Sequence, residues 1–356
     1  MSQALRNRAL GTVGAPQAAA GAGLVLVAAA LVLAAGRLGP YPSLLQGWLL
    51  AVAICSCAPI GSMTLLLVHG LTGGRWGVAA GPILRPLAAM MPLVTVAFVP
   101  ILASLTSIYP WAADPGSVKP DVASWYLSQP SFILRALVAL VGWSVLGVTF
   151  AVGAGGRLLA ALGLSFFGLM ISTVAVDWFL SVEPHYVATA FPAMMAVQQM
   201  MAALAVVAML GTLELEDGAA SDIASLIIAT LLGVVYLEYM TFVVAWYGDL
   251  PHKAHWFLKR STDPWGAALV VAFAAGAVLP FAMLLLRKTR RSRAGLRIVG
   301  VLLLIGTTMH LAWLIVPAFA AQTKVAVTGI GLLVVLTFAA ILFGRGTTFA
   351  EARRAE

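Results

Sequence analysis

The sequence predicts an all-α integral membrane protein with about ten transmembrane helices, and three observations predict it. Of its 356 residues, 62% are hydrophobic and only 10% are charged, against roughly 45–50% and about 25% in a water-soluble domain. The apolar residues fall in long unbroken runs, and a run of about 18 or more without charge reads as a transmembrane helix. Lys and Arg collect in the short stretches between those runs, which is how membrane topology is encoded. A transmembrane β-barrel is excluded, because its signal is alternation and not continuous apolarity.

The runs lie at 16–36, 43–69, 80–108, 131–152, 157–178, 186–212, 222–247, 265–286, 296–317 and 324–344. Several exceed the roughly 20 residues of a perpendicular span, so tilt or extension beyond the bilayer is expected. The first run follows Arg6 and Arg8 and has the outline of a signal peptide. It is long for that role and reads as a retained anchor. No soluble domain is expected anywhere in residues 1–356.

Orientation follows from the cations. With the N-terminus inside, 14 Lys and Arg fall on the inner side and 7 on the outer, and the segment Arg287–Arg297 decides the balance. Both termini are therefore expected in the cytoplasm, with the chain multi-pass in the membrane. The net charge of +8 is a topology signal with some reach to lipid headgroups. It does not imply nucleic acid. Cys55 and Cys57, the only cysteines, lie within the second run and read as small packing residues.

The longest connections, 109–130 and 248–264, are predicted outside and are rich in aromatic residues and proline. Such loops often cap a site or dock a partner. The inner 213–222 loop carries Glu214, Glu216, Asp217 and Asp222 and reads as solvated. Pro92, Pro100, Pro192 and Pro280 are expected to kink their helices.

Ionisable groups inside a bilayer cost about 2.5–3.5 kcal/mol each on insertion scales and are functional candidates. Glu238 lies deep in the seventh span and His310 deep in the ninth. Asp177 closes the fifth, and Glu183 and His185 open the sixth, where Pro184 suits a first helical turn. Glu238 has only Val234, Val235, Thr241 and Phe242 one turn away on its own face. It is therefore expected to meet another helix, a water or a ligand. A protonatable Glu and His at membrane depth are the parts of a proton relay or a quinone pocket; Tyr239 is the next candidate beside them. An interhelical hydrogen bond that only fixes packing is the competing reading. No two His share a depth suited to a haem, and no Cys cluster or phosphate loop is present, so no metal or covalent cofactor is expected.

Four stretches carry a resemblance. They are Leu84-Arg-Pro-Leu with Ile108-Tyr-Pro-Trp-Ala112; Tyr126-Leu-Ser-Gln-Pro-Ser-Phe-Ile-Leu-Arg135; Val176-Asp-Trp-Phe-Leu-Ser-Val-Glu-Pro-His185; and Trp246-Tyr-Gly-Asp-Leu-Pro251 leading to His255-Trp-Phe257. In matching order over about residues 45–345, they resemble the F-type, NrfD-like (polysulfide-reductase-type) membrane subunit of alternative complex III, the bacterial quinol:cytochrome c oxidoreductase. Tyr186-Val-Ala-Thr189 stands where the family has Trp-Tyr-Ser-Thr, and Tyr126–Phe132 departs from Tyr-Leu-Asn-x-Pro-Phe-Phe. These departures mark a divergent paralogue.

The resemblance implies two four-helix bundles, 43–178 and 186–317, flanked by helices 16–36 and 324–344. It implies a subunit of a bacterial inner membrane, without a redox centre, contributing proton-path residues and leaving room for a quinone. The implied partners are a quinol-binding sister subunit, iron–sulfur and c-type haem subunits, and a haem–copper oxidase.

On the residues themselves, Arg135 is in reach of Asp177 or Glu183 on the outer side. With Asp249, these residues outline a charged rim that locks the bundles, passes protons outward through Asp177 and His185, or meets a quinol headgroup. The leading expectation is a cofactor-free membrane subunit of a respiratory quinol oxidoreductase. The alternatives are a stand-alone secondary transporter with a midplane site and a structural or assembly subunit of an oxidase supercomplex.

Overall fold

The computed structural model describes the backbone of residues 3–39, 41–211 and 218–352, with side chains except those of 3–15, 37, 252 and 347–352. It is 87% helical without a strand among the described residues, and ten helices are long and apolar enough to cross a membrane. They are α1 (Pro16–Gly36), α2 (Pro42–Thr72), α3 (Arg75–Leu102), α4 (Gln129–Ala151), α5 (Arg157–Val182), α6 (Phe191–Leu210), α7 (Ala219–Tyr247), α8 (Trp265–Leu285), α9 (Arg293–Ala318) and α10 (Gln322–Gly346). The chain has the architecture of a multi-pass membrane protein.

Proline chemistry accounts for the places where the helices depart from the hydrophobic runs. α6 starts at Phe191 and not at 186, because Pro192, not Pro184, occupies its first turn. Glu183, Pro184 and His185 therefore lie in the connecting turn, and Pro192 does not kink a helix. α3 is interrupted at Ala89–Met90, and Pro92 opens its second half, since proline disfavours helical geometry in the residue before it. In α8 a wide π-turn at Ala274–Val278 precedes Pro280. The extra residue relieves the clash between the proline ring and the preceding turn.

Helices α2 to α5 pack on one another, as do α6 to α9, while α1 and α10 pair together against α2. The two groups meet where α2 lies on α6. α2 is accordingly the most enclosed span, 78% buried over its most apolar window, and α7 the least, at 11%. The approach of α2 to α6 is close: a Cβ added to Gly61 would stand 1.9 Å from the Gln199 carbonyl oxygen. Without a hydrophobic drive between helices in lipid, such small-residue contacts are what let dispersion forces hold a bundle.

The two long connections fold onto one end of the molecule. Residues 103–128 sit on the first bundle through Tyr109, which donates to the Trp178 carbonyl at 3.2 Å, and Trp111, which donates to Ser181 Oγ at 3.1 Å. The second connection is not a loop but contains the helix Pro251–Ser261, which caps the second bundle. Of the acidic 213–222 segment, Glu214, Glu216 and Asp217 lie outside the described residues. Asp222 faces Arg75 at 3.8 Å at the opposite end.

Candidate functional site

A cavity of about 630 Å³ occupies the second bundle, between α6, α7, α8 and α9 and beneath the capping helix. Its volume falls in the range of small-molecule sites, roughly 300–1,000 Å³. The walls are mostly aliphatic and aromatic, with a few polar groups converging on them. Tyr239 and Phe242 on α7 and Val270 and Phe273 on α8 line it, yet each is 41–67% exposed. The outer half of α8, Trp265–Phe273, also makes little contact with α7. The cavity therefore opens sideways, on the surface that faces lipid.

Glu238 and His310 meet inside it. Glu238 Oε1 on α7 lies 3.1 Å from His310 Nε2 on α9, with side-chain exposures of 28% and 11%. His310 Nδ1 lies 3.2 Å from Oε1 of Gln198 on α6, which is 1% exposed. With the amide oxygen as acceptor, Nδ1 carries the hydrogen and Nε2 is left to face the carboxyl group. Three helices thus converge on this contact, and the expectation that Glu238 meets another helix is met geometrically. The Trp313 ring lies parallel to the His310 ring at 6.0 Å. Tyr239 lines the mouth without a hydrogen bond to the pair.

The glycines of α8 and α9 shape the inner wall. A Cβ on Gly306 would stand 2.1 Å from the Gly276 Cα, so the two backbones touch beside Thr307. The π-turn of α8 contains Gly276, a feature frequent at functional sites.

The capping helix is fixed by Arg260. Its guanidinium is 1% exposed, lies 3.8 Å over the Trp256 ring, donates to the Leu314 carbonyl at 2.9 Å and forms an ion pair with Glu183. Lys259 holds the other Glu183 oxygen at 2.8 Å. Trp256 in turn stacks on Tyr186 at 4.1 Å, and Trp313 donates its Nε1–H to the Arg260 carbonyl at 3.0 Å. Burial pushes the Glu183 carboxyl up, but Arg260 and Lys259 outweigh it, and the group sits below its ordinary 4.5.

The rim of the first bundle is a separate lock. Arg135 donates to both Asp177 oxygens, at 2.6 and 3.1 Å, to Ser131 Oγ at 2.6 Å and to the Tyr126 carbonyl at 2.9 Å. It also lies 4.1 Å over the Tyr126 ring. Burial, and then the Asp177 charge, push the Tyr126 hydroxyl up to about 12.

The predicted outer cluster therefore divides. Arg135 takes Asp177 and not Glu183, whose partners come from the capping helix. His185 is exposed on its turn and does not join Asp177, and Asp249 is exposed beyond α7 and joins neither lock.

Sequence reasoning missed Arg260, Lys259 and Gln198. Gln198-Gln199 was the available signal, an amide pair within an apolar span. Trp256 and Arg260, one turn apart, mark the inward face of an amphipathic helix.

No protein-family model matches the chain, and no curated protein matches its sequence. Fold and site together define its class: a ten-helix membrane protein with an apolar cavity on whose wall Glu238 and His310 meet.

Proposed function

We propose that this chain is a cofactor-free integral subunit of a respiratory quinol:electron-acceptor oxidoreductase in the bacterial inner membrane. Its Glu238–His310 pair takes up and passes on a proton beside a quinone-accessible cavity. The observation that carries the reading is the position of that pair, on the wall of an apolar cavity that opens toward lipid. A transporter of a hydrated solute would need polar walls or a water path, and a packing-only hydrogen bond would need no cavity beside it.

The residues present fit a quinone headgroup. The space suffices for a ring, the walls suit a hydrocarbon tail, and the lining residue Thr307 carries a buried hydroxyl with no partner among the described residues. A bound quinol would bring transferable protons and electrons. The residues of this chain do the rest: Gln198 fixes the imidazole tautomer, Glu238 and His310 hold the proton, and the aromatic walls exclude water. Redox centres to take the electrons would belong to the partner subunits that the resemblance implies, which are a quinol-binding sister, iron–sulfur and c-type haem proteins, and a haem–copper oxidase. In this reading both termini are cytoplasmic, and the end bearing Arg135 and Glu183 faces outward.

Mild-detergent purification from the native membrane tests the assembly, because recovery of the chain alone, without redox partners, overturns it. Glu238→Gln in the intact complex tests the site. Lower quinol turnover with less proton release is expected, and a variant unchanged in both removes Glu238 from the mechanism.

A further inference from the structure

We propose that the turn joining α8 to α9 binds the headgroup of an anionic phospholipid, whose acyl chains lie along the exposed faces of those two helices. The proposal is independent of the cavity and of the quinol reading. Residues 287–297 carry Arg287, Lys288, Arg290, Arg291, Arg293 and Arg297 and no acid. All but Arg290 are exposed, and none of the six forms an ion pair among the described residues. The turn touches α7, but Asp222 in the first turn of that helix faces Arg75 instead.

Charge that only sets topology needs no defined shape, whereas this turn is shaped. Arg290 donates its Nε–H to the Leu284 carbonyl at 2.6 Å, and Ser292 Oγ accepts the Gly295 N–H at 3.2 Å. A Cβ on Gly295 would stand 3.0 Å from the Thr289 carbonyl oxygen, so the chain folds back closely on itself. The cations are thereby held as one compact group across two helix ends.

The surface beside them decides the partner. One face of α9 reads Arg293, Arg297, Val301 and Ile305, each four residues from the last and so stacked on one side of the helix. All four are exposed, Val301 at 40% and Ile305 at 43%. On α8, Leu285 and Leu286 are each 60% exposed immediately before Arg287. Cations give way to bare aliphatic surface in the order of phosphate and acyl chain in a phospholipid. A soluble polyanion would leave the aliphatic stripe unused, and an uncharged lipid would leave the cations unused. Clusters of about four to eight Lys and Arg beside a membrane span are the kind that collect anionic lipid. A headgroup there would tie together the near ends of α8 and α9, which meet again at Gly276 and Gly306 on the cavity wall.

The full chain, purified in a neutral detergent, is titrated with short-chain phosphatidylglycerol, short-chain phosphatidylcholine or inorganic phosphate. Binding is read as a rise in thermal midpoint. Phosphatidylglycerol is expected to half-saturate at a concentration at least tenfold lower than phosphatidylcholine, and inorganic phosphate is expected to give no rise. Arg293→Gln with Arg297→Gln should abolish the preference, while Arg85→Gln with Arg157→Gln, an equal loss of charge elsewhere, should keep it. Equal response to the two lipids overturns the proposal. An equal response to inorganic phosphate does so too, since the turn is then an anion site without a lipid. Loss of preference in both double variants makes the effect diffuse charge, and an unchanged preference in the first places the lipid elsewhere; either result overturns the site. Should that double variant not fold, Arg297→Gln alone is expected to weaken phosphatidylglycerol at least threefold, and an unchanged affinity overturns the site equally.

Discussion

Glu238 Oε1 and His310 Nε2 lie 3.1 Å apart and join α7, the least buried span, to α9. Groups that hold one proton between them act as a unit, and their removal is non-additive. If the proposed quinol site is right, Glu238→Gln and His310→Gln each lower quinol turnover of the complex about 100-fold, the low end for general acid–base groups. The double variant should be little worse than either. Steady-state turnover of the three variants checks this, and multiplicative losses would show that the two residues serve separate steps.

Arg135 and Asp177 form the better-enclosed ion pair, with Asp177 1% exposed and bound through both oxygens. Removing one partner of a buried pair strands the other charge and costs about 3–5 kcal/mol. Asp177→Asn and Arg135→Met should each lower the thermal midpoint in detergent sharply. Combining them should recover part of the loss, because no unpaired charge remains.

Much of this fold was legible because lipid imposes a one-dimensional code. Each span is an apolar run, and Arg157 or Trp265 marks its end directly. The Glu238–His310 meeting was legible only as a need, since a lone carboxyl at membrane depth must find a partner, and 71 residues of intervening chain hide which one. Arg260 was not legible at all. It reads as one more loop cation until Pro251–Ser261 folds into a helix and turns it inward onto Glu183. The mistaken link between Asp177 and His185 has a related cause: two prolines, Pro184 and Pro192, competed for one helix start, and spacing alone could not choose between them.

Gly61 places a stability test at the contact between α2 and α6. A Cβ there would overlap the Gln199 carbonyl oxygen, whose backbone cannot swing away like a flexible side chain. Gly61→Ala should therefore separate the helices and lower the thermal midpoint, by the 1–3 kcal/mol typical of overpacking. Gly331→Ala on α10 meets nothing within 4 Å and should be neutral, or slightly stabilising through helix propensity. Parallel melting curves in one detergent check both.

Glu183 makes the stability of the capping helix depend on pH. Burial raises its carboxyl, but Arg260 and Lys259 overcome that, leaving the folded value below the ordinary 4.5. A depressed folded pKa means that the unfolded chain takes up the proton first. The contribution is then fully present above about 4.5 and is lost as pH falls through the lower folded value. Melting curves of the wild type and Glu183→Gln should differ by a constant amount from neutral pH down to about 5 and converge in stronger acid. Glu183→Gln should also loosen the roof of the cavity, because Arg260 would keep Trp256 and Leu314 but lose its counter-charge. Faster hydrogen exchange across 251–261 at neutral pH, with α2 unchanged, is the expected signature. Uniform acceleration throughout the chain would instead make Glu183 a determinant of global folding and not a clamp on the cap.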